Sequence, residues 1–448
     1  MALDSPLIYF TDAVLRAPTI GCILMCLASA LVGVIVFLKK QSLLGESLTH
    51  AAYPGVIIGV ACAGLFDIGT EKEITISLLV MLGAFFSAIL GLLAINYLVK
   101  HFKTSSDSAL CFVLSAFFGI GLTIASQIQF TYSSLYKQAQ MYLYGQAATM
   151  TDIHILIYGI LCALILGTIV LFYKEILVIS FDRTYATSLN INTRLVDTII
   201  FFLIVLAVVI GIRSVGIVLM SAMLIAPAVT ARQYTNKLGW MFALAAFFGA
   251  FSGFLGNYLS VVMPSYFPEA KISLPTGPMI VIISSFICLL SLLFAPERGF
   301  VLRLIRIACF RYRCICENLL KAIWRLDSDK EISFNEIASH QNAPIWYLKF
   351  ALNRLVRYGW IERTPIGYRL TTDGSIRAAR IVRLHRLWEV YLVDYLGVGA
   401  ERVHRSAEEM EHIITPELEK QLAMLLKDPT HDPHDQPIPP NTLHAGGA

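Results

Sequence analysis

Long apolar stretches, nearly free of charged residues, fill the chain as far as residues 295–298, and beyond them the sequence becomes polar and basic. A helix needs about 20 apolar residues to cross the hydrocarbon core of a membrane. Lipid cannot satisfy free backbone groups, so each stretch must be helical. The pattern predicts an all-α polytopic membrane body of about eight or nine helices. The stretches are 16–38, 43–66, 74–99, 107–128, 151–173, 195–212, 215–232, 238–262 and 277–296.

Basic residues divide the connections between these stretches into two classes. Cytoplasmic connections of membrane proteins carry an excess of Lys and Arg. Here the basic residues fall on alternate connections: Lys39, Lys40, Lys100, Lys103, Lys174, Arg232, Lys237 and the run from Arg298. Arg213, in a short turn, is the exception. The pattern predicts a multi-pass protein of a bacterial inner membrane, with its N-terminus outside and its C-terminal part in the cytoplasm.

The second apolar stretch begins with two ionisable side chains on one helical face. Glu46 and His50 are four residues apart, which places them within about 6 Å on a helix. Ionisable groups in a membrane usually face a cavity or a partner, and a carboxylate with an imidazole suits a divalent transition metal. Pro54 interrupts the same helix, and interrupted helices often line transport sites. The alternative is that Glu46 lies in a wet interfacial loop and His50 bonds a neighbouring carbonyl.

Two further segments of the membrane part are informative. The polar connection 179–192 predicts a short helix on the cytoplasmic face that begins at Arg183 and is capped by Asp182. Such a helix would suit docking to a motor subunit, although an ordinary loop helix fits the same pattern. In the segment 211–232, small residues permit close helix packing, and Pro227 bends or splits the helix.

These three segments resemble the membrane subunits of ABC-type manganese, zinc and iron importers, the ABC-3 permease family. The matching motifs are Gly-x-x-x-x-His-Ala-x-x-Pro-Gly at 45–55, Ser-Phe-Asp-x-x-x-Ala at 180–186 and Val-Gly…Leu-Ile-x-Pro-Ala-x-x-Ala-Arg at 215–232. The resemblance covers about 10–297. It implies uptake of a divalent metal delivered by an extracytoplasmic binding protein, a homo- or heterodimer of permeases, and ATPase subunits on the cytoplasmic face.

The same resemblance implies residue roles. Glu46 and His50 would be ligands in the transport pathway, and the coupling helix would lie within 181–192. Its residues of interest are Asp182, Arg183 and Ala186. The family usually has Asp in place of Glu46, which keeps the carboxylate but changes its reach. Because no Gly-x-x-x-x-Gly-Lys-Ser/Thr loop occurs in the sequence, the chain is predicted not to be an enzyme, with ATP hydrolysis on a separate subunit.

The polar part opens with a basic helix or linker at 298–316, whose Arg side chains can face lipid headgroups. A capping box at 333–336 opens a short helix, a longer helix covers 345–358, and two strands cover 360–363 and 368–371. This order is typical of a winged helix-turn-helix. The residues predicted to face DNA are Tyr347, Lys349, Phe350, Asn353 and Arg354 on the third helix and Arg363 and Arg369 on the wing. The alternative is a winged helix that contacts protein.

His and carboxylate residues recur at helical spacing further along the polar part. One helix carries His385 and Glu389, four residues apart. The next is predicted to carry His404, Glu408, Glu411 and His412. Two such helices packed together would form a metal site. The alternative, a solvated charged helix face, is typical of one such pair and less so of two.

Over about 317–439 the polar part resembles the DtxR/MntR family of metal-dependent repressors, without the SH3-like third domain of some members. The resemblance implies two metal sites. One would consist of His385, Glu389 and His404, and the other of Glu408, Glu411 and His412. The co-repressor metal would be Fe²⁺ or Mn²⁺, with Zn²⁺ as a third candidate.

Two departures from that family bear on the second site. Glu408 stands where iron-type members have Cys, a harder ligand that resembles the manganese-type members. Asn318 stands in the place of an N-terminal Met or Asp ligand. This either weakens the second site or transfers the role to Glu317.

The predicted domain order is a permease (10–297), the basic linker (298–316), a winged-helix DNA-binding domain (317–380), a helical metal-binding and dimerisation domain (381–440) and a tail (441–448). The hypothesis is that a divalent-metal importer subunit carries its own metal-dependent repressor of operator DNA, freed by proteolysis near the linker. The alternative is a cytoplasmic gate: metal bound to the C-terminal domain would inhibit transport, and DNA would play no part.

Overall fold

The computed structural model describes residues 6–65, 73–131, 140, 142–143, 145, 147–266, 274–327, 330–341 and 343–440. The predicted tail at 441–448 lies outside these residues. The chain divides into two compact units, Met1–Leu302 and Arg303–Ala448. Each unit has a hydrophobic core of its own.

The first unit is a helical bundle. Its helices are α1 (Ile8–Thr11), α2 (Arg16–Leu38), α3 (Ser42–Leu65), α4 (Glu73–His101), α5 (Ser106–Thr131), α6 (Asp152–Leu171), α7 (Tyr173–Phe181), α8 (Arg183–Ser188), α9 (Thr193–Ser214), α10 (Met220–Tyr234), α11 (Leu238–Tyr266) and α12 (Thr276–Phe294). In the described part of the chain, eight helices are long and apolar enough to span a membrane, all of these except α1, α7, α8 and α10. The predicted polytopic membrane body is confirmed.

Ion pairs define the two ends of this bundle. At the start of α2, Arg16 pairs with Asp152 at the start of α6, with 2.6 Å between Nη2 and Oδ2. Just beyond the end of α2, Lys39 pairs with Asp197 near the start of α9, also at 2.6 Å. We call these the Arg16 end and the Lys39 end. Because α9 begins at the Lys39 end, it finishes at the Arg16 end.

Helix α10 corresponds to the predicted stretch 215–232 but is shorter. Its 15 residues measure about 22 Å, against about 30 Å for the hydrocarbon core of a bilayer. Gly216, whose φ is +91°, turns the chain just before it. The helix packs so closely on α2 that a Cβ atom at Gly33 would lie 1.7 Å from the carbonyl oxygen of Leu224. A helix enclosed by protein in this way need not match the thickness of the lipid.

Helix α10 nevertheless carries the chain from one end of the bundle to the other. Before it, the amide of Ile217 donates to the carbonyl of Tyr142 at 3.1 Å, in the segment that leads into α6 at the Arg16 end. After it, α11 begins at the Lys39 end, because Asn257 near its far end donates to Thr19 at the Arg16 end, at 2.8 Å. With eight long helices and α10 each crossing the bundle, the last of them, α12, ends at the Lys39 end.

The second unit begins within a long helix. The elements from that helix onward are α13 (Phe300–Asp327), α14 (Phe334–Ser339), α15 (Ile345–Arg357), β1 (Ile361–Arg363), β2 (Tyr368–Leu370), α16 (Thr372–Asp394), α17 (Ala400–Met410) and α18 (Pro416–Leu425). The segment predicted as a basic helix or linker is therefore largely the first half of α13.

Helices α13 to α15 and the two strands form a winged helix. Ser333 and Glu336 form the predicted capping box at the start of α14, which confirms it. Helix α15 ends at Arg357, one residue before the predicted boundary, and Gly359 follows with φ +71°. Strands β1 and β2 pair antiparallel, with Ile361 opposite Leu370. Buried apolar side chains from α13, α15 and the wing form one core.

The last three helices pack beside one another. The core between α16 and α18 contains Leu387, Val390, Leu422 and Ile438. Helix α17 ends at Met410, so Glu411 and His412 lie in the turn that follows it and not on the predicted helix. The four-residue spacing between Glu408 and His412 therefore does not place these two side chains on one helical face.

Candidate metal sites, transport cavity and nucleic-acid surface

Three side chains of metal-ligating types converge between α16 and α17. Buried Glu389 places Oε1 3.2 Å from Nε2 of buried His385 and 3.0 Å from Nδ1 of half-exposed His404. The two ring nitrogens lie 3.0 Å apart. One ligand atom from each residue lies within 4.8 Å of the other two, and the part of the chain that the structure describes contains no other such group of three His, Cys, Asp or Glu residues.

The electrostatics of this group arise from burial and hydrogen bonding together. Burial alone would raise the pKa of Glu389, but hydrogen bonds with His385 and His404 outweigh it and lower that pKa to about 2. Burial alone would lower the pKa of His385, yet its hydrogen bonds to Glu389 and Glu411 raise that pKa above its ordinary value. Hydrogen bonds between the Glu389 carboxylate and the two imidazoles therefore stabilise this group of three side chains.

The donors of this group fit a divalent cation. Two imidazoles and a carboxylate suit a transition metal of intermediate hardness. Nδ1 of His385 lies 2.6 Å from Oε2 of Glu411. With the proton on Nδ1 and donated to that carboxylate, Nε2 keeps a free lone pair toward Glu389 and His404, as in the carboxylate–histidine pairs that orient metal ligands. A cavity of about 510 Å³ adjoins the three side chains.

The second predicted set, Glu408, Glu411 and His412, does not form one cluster of three ligand atoms. Oε1 of Glu408 lies 3.4 Å from Nε2 of His404. Nδ1 of His412 lies 2.6 Å from Oε2 of Glu317. Glu411 is buried and directed inward, and its Oε1 is 3.7 Å from Nε2 of His412. His412 therefore lies between Glu411 and Glu317, the residue named above as the alternative to Asn318, while Glu408 is directed to His404. The three predicted donors do not meet at one point.

Glu411 is instead paired with a buried lysine of α13. Nζ of Lys321 donates to both carboxylate oxygens of Glu411, at 2.9 and 2.7 Å, and lies 3.2 Å from Nδ1 of His385. Burial lowers the pKa of Lys321, against the attraction of Glu411. Burial alone would raise the pKa of Glu411, but the hydrogen bond with His385 and the positive charge of Lys321 outweigh burial and lower that pKa. Lys321 was not predicted as a site residue.

In the membrane unit, Glu46 lines a cavity and His50 lies one turn further along α3. The cavity has a volume of about 500 Å³ and lies between α3, α10 and α12. Its polar and small lining residues besides Glu46 include Ser42, Ser221, Ala222, Ser285 and Cys288. His50 is not among the lining residues; its ring centroid lies 4.7 Å from that of Phe118. Its buried Nδ1 has no hydrogen-bond partner among the described residues.

The predicted cap of the short connecting helix is confirmed. Oδ1 of Asp182 accepts hydrogen bonds from the amides of Thr184 (2.9 Å) and Tyr185 (3.0 Å) at the start of α8. The hydrogen bond from the Thr184 hydroxyl, together with those from the two amides, lowers the pKa of Asp182. Ala186 is buried against the bundle, while Tyr185 is more than half exposed. The helix thus has one packed face and one open face.

Asp197 joins this helix to the bundle and was not predicted as a site residue. Its two carboxylate oxygens pair with Arg183 of α8 at 2.8 Å and with Lys39 at 2.6 Å. The available sequence signal was a single carboxylate one turn inside an apolar helix. Such a position is costly in lipid unless a cation lies beside it.

Most residues predicted to contact DNA are exposed on α15 or the wing. The exposed members on α15 are Lys349, Phe350, Asn353 and Arg354. Tyr347 is half-buried, with its ring 6.0 Å from that of Tyr312. On the wing, Arg363 is exposed and Arg369 pairs with Glu362 at 3.1 Å. These exposed side chains are mostly basic and include one aromatic ring.

Two family models match the chain. Residues 11–295 match the ABC 3 transport family. Residues 371–440 match the metal-binding and dimerisation domain of iron-dependent repressors. The first match covers the membrane unit, and the second covers α16 to α18 with the His385, Glu389 and His404 group.

Relatives of known description extend over both units. A probable metal transport system membrane protein of Chlamydia pneumoniae is 37% identical over 446 residues, covering 96% of this chain and 98% of the relative. The manganese transport system membrane protein MntC of Bacillus subtilis is 33% identical over 383 residues, covering 85% of this chain and 84% of the relative. The solved structure of PsaBC from Streptococcus pneumoniae in complex with Fab matches at 25% identity and a TM-score of 0.56, covering 66% of this chain and 97% of that one.

Proposed function

The chain belongs to the ABC 3 transport family, and on that premise we propose that it is the permease subunit of an ATP-driven importer of divalent metal. Its C-terminal unit carries a metal-binding and dimerisation domain of the iron-dependent repressor type. The transported ion is the substrate, and Fe²⁺ and Mn²⁺ are the first candidates. The cavity lined by Glu46 supports a transport pathway at this place.

The proposed pathway uses His50 as one ligand and Glu46, one helical turn nearer the Lys39 end, as the next ligand at the cavity wall. A carboxylate and an imidazole in an otherwise apolar bundle are costly unless they have a partner. We expect Glu46→Gln and His50→Ala each to reduce metal uptake by about tenfold or more, since each removes one of two ligands. Uptake of labelled Mn²⁺ or Fe²⁺ by cells that express the complete transporter measures this.

The matched control for Glu46→Gln is Asp107→Asn, which removes an exposed carboxylate from the first turn of α5. The control should transport at the wild-type rate. Wild-type uptake by Glu46→Gln, at equal amounts of protein in the membrane, would contradict the pathway.

We assign ATPase docking to α8. Its open face, its cap at Asp182 and its anchoring through Arg183 to Asp197 support this assignment. A rigid short helix tied to the bundle can transmit movement from a separate ATPase subunit, whereas an untethered loop cannot. The partners are an ATPase subunit, a second permease chain and an extracytoplasmic metal-binding protein. The orientation is that of an inner-membrane protein with the Lys39 end, and hence the C-terminal unit, in the cytoplasm.

The C-terminal unit is proposed to be a metal-dependent repressor. The observation that carries this is the convergence of His385, Glu389 and His404 between α16 and α17. A bound divalent metal would supply a cross-link between those two helices. Glu411 orients His385, and burial of Glu389 keeps water from competing with the ligands. Stabilising one arrangement of these helices favours the conformation of the dimer that binds DNA.

The DNA surface is proposed to be α15 and the wing. Lys349, Asn353 and Arg354 would meet the major groove, while Arg363 would contact the phosphate backbone. The unit Arg303–Ala448 contains its own core, so it serves as the test protein. It should retard a promoter fragment of its own operon with Fe²⁺ or Mn²⁺ present and fail to do so with chelator.

Two substitutions sharpen that test. His404→Ala should abolish the metal response, and Arg354→Ala should weaken binding by about tenfold or more at saturating metal. The control is Lys420→Ala, which removes an exposed positive charge from α18. Retardation that is equal with metal and with chelator would contradict a metal-dependent repressor.

Release from the membrane by proteolysis is proposed for the junction between the units. The exposed turn Pro296–Arg298 separates α12 from α13, whereas the rest of the predicted region is helical. Proteases act preferentially on exposed, non-helical chain, so this turn is the proposed cleavage position. Immunoblots of the native host with an antibody to the C-terminal unit should show a fragment beside the full chain. Full-length protein alone, under both low and high metal, would contradict release.

The gate is the second candidate function. It is supported by the covalent link, since the two units are consecutive parts of one chain. A gate predicts that high metal inhibits transport by the reconstituted transporter. It also predicts that no metal produces retardation of DNA. Both results together would favour the gate over the repressor.

A further inference from the structure

The buried amine of Lys321 occupies the interior of the second predicted metal site. The side chains of Lys321 and Glu411 are 5% and 0% exposed, and that of His385 is 1% exposed. Nζ donates to the two oxygens of Glu411 and lies 3.2 Å from Nδ1 of His385. Two of the three donor positions of the ammonium group are therefore used by Glu411.

We propose that Lys321 is a built-in cation at the second site, so that the C-terminal unit binds a single metal ion, at His385, Glu389 and His404. This proposal rests on the proposed metal-sensing function and adds the number of metal ions that each C-terminal unit binds. The residues of the second set do not fit a metal while Lys321 is present. Both oxygens of Glu411 are engaged by the amine, and one of them also accepts from His385.

Geometry gives the reason that Lys321 excludes a metal. A cation placed between Glu411 and His412 would have to displace the amine from a position with no solvent to receive it. A buried charge without its partner is strongly destabilising. Glu408 faces His404 instead. His412 pairs with Glu317 through Nδ1 and directs Nε2 toward Oε1 of Glu411, the oxygen that Lys321 already engages. Lys321 therefore joins α13 to the turn after α17 permanently and without metal.

This arrangement leaves His385 as the point where metal acts on the rest of the unit. Its Nε2 faces the proposed metal ligands, and its Nδ1 faces the Lys321 and Glu411 pair. α13 begins the winged helix and carries Lys321. The signal from the single metal thus has a direct path to the DNA-binding domain through one imidazole.

The test counts bound Mn²⁺ by equilibrium dialysis in the full chain held in nanodiscs. Glu46→Gln and His50→Ala are present throughout, so that the transport pathway contributes no ion. The expected count is one ion per chain, none in His404→Ala and two in Lys321→Glu, where a carboxylate replaces the amine. Lys420→Glu makes the same charge change on the exposed surface of α18 and should keep one ion.

A second readout covers the case in which Lys321→Glu folds poorly. Four of the five tryptophans, Trp324, Trp346, Trp360 and Trp388, lie in the second unit, so fluorescence melting reports on it. In a His404→Ala background, Mn²⁺ should leave the melting temperature unchanged. With Lys321→Met added, Mn²⁺ should raise it, because Glu411 is then free to bind the ion.

Two results would overturn the proposal. One is a second ion in the wild-type background that is lost in His412→Ala and kept in His404→Ala. The other is the absence of any gain, in ion count or in melting temperature, when Lys321 is replaced in a folded chain. A wild-type background that binds no ion, with Lys321→Glu binding one, would instead contradict the His404 site and uphold the role of Lys321.

Discussion

His385 makes contacts of two kinds, and only one of them could be predicted from the sequence. Helix periodicity predicts its pairing with Glu389, since residues four apart share a face. Its other contact, with Lys321, joins two residues that are 64 positions apart in the sequence. Lys321 sits among apolar residues of α13 and resembles a lysine whose stem covers a core while its amine reaches water. The buried partner Glu411, which comes from a turn, could not be predicted from spacing.

Glu389 provides a prediction about pH in the metal-free C-terminal unit. Its pKa is lowered from 4.5 to about 2, with burial opposing and the hydrogen bonds of His385 and His404 prevailing. A carboxyl group with a depressed pKa contributes stability above its unfolded pKa and loses it as pH falls toward the folded value. The free energy of unfolding should therefore fall between about pH 5 and pH 2, and fall less steeply in Glu389→Gln.

Urea unfolding of Arg303–Ala448, followed by tryptophan fluorescence at several pH values, measures this slope. His385 acts in the opposite direction, because its pKa is raised. Its contribution is present below its unfolded pKa and is lost as pH rises through the folded value. Equal slopes for the wild type and Glu389→Gln below pH 5 would show that Glu389 is not the group responsible.

At the scale of elements, the apolar stretches could be predicted because length and composition alone decide which segments cross lipid. The length of α10 could not be predicted in this way, because a helix enclosed by protein need not match the thickness of the lipid. Small residues in 211–232 indicated close packing, and the approach of Leu224 to Gly33 shows where it occurs. Likewise the end of α17 at Met410 could not be read from a His and carboxylate pattern that continues past it.

The packing of α2 on α10 makes Gly33→Ala a sharp test of the bundle. A Cβ atom there would lie 1.7 Å from the carbonyl oxygen of Leu224, so the helices must separate. Overpacking of this kind costs about 1–3 kcal/mol. The purified chain should melt at a lower temperature in detergent than the wild type.

Gly167→Ala on α6 is the matched control, since no atom beyond its chain neighbours and its own helix backbone lies within 4 Å of the added Cβ. It should be neutral or stabilising by up to about 1 kcal/mol, as Ala favours the helix. Equal melting temperatures for Gly33→Ala and Gly167→Ala would show that α2 and α10 are not in contact as described.

At the scale of the whole molecule, a metal permease and a repressor-type metal-binding domain are one polypeptide. The change from apolar to polar sequence at 295–298 predicted two bodies. In the structure the chain divides into two compact units after Leu302. Both units present carboxylate and imidazole groups, Glu46 with His50 in one and the His385 group in the other. The proposed account is that one chain imports a metal and uses the same metal to repress its own operon.

Chromatin immunoprecipitation in the native host, with an antibody to the C-terminal unit, tests this account most directly. The promoter of the operon that encodes the chain should be enriched when cells are replete with Fe²⁺ or Mn²⁺, and the enrichment should disappear after chelation. Absence of enrichment in both conditions, with the protein present in the cells, would contradict the account.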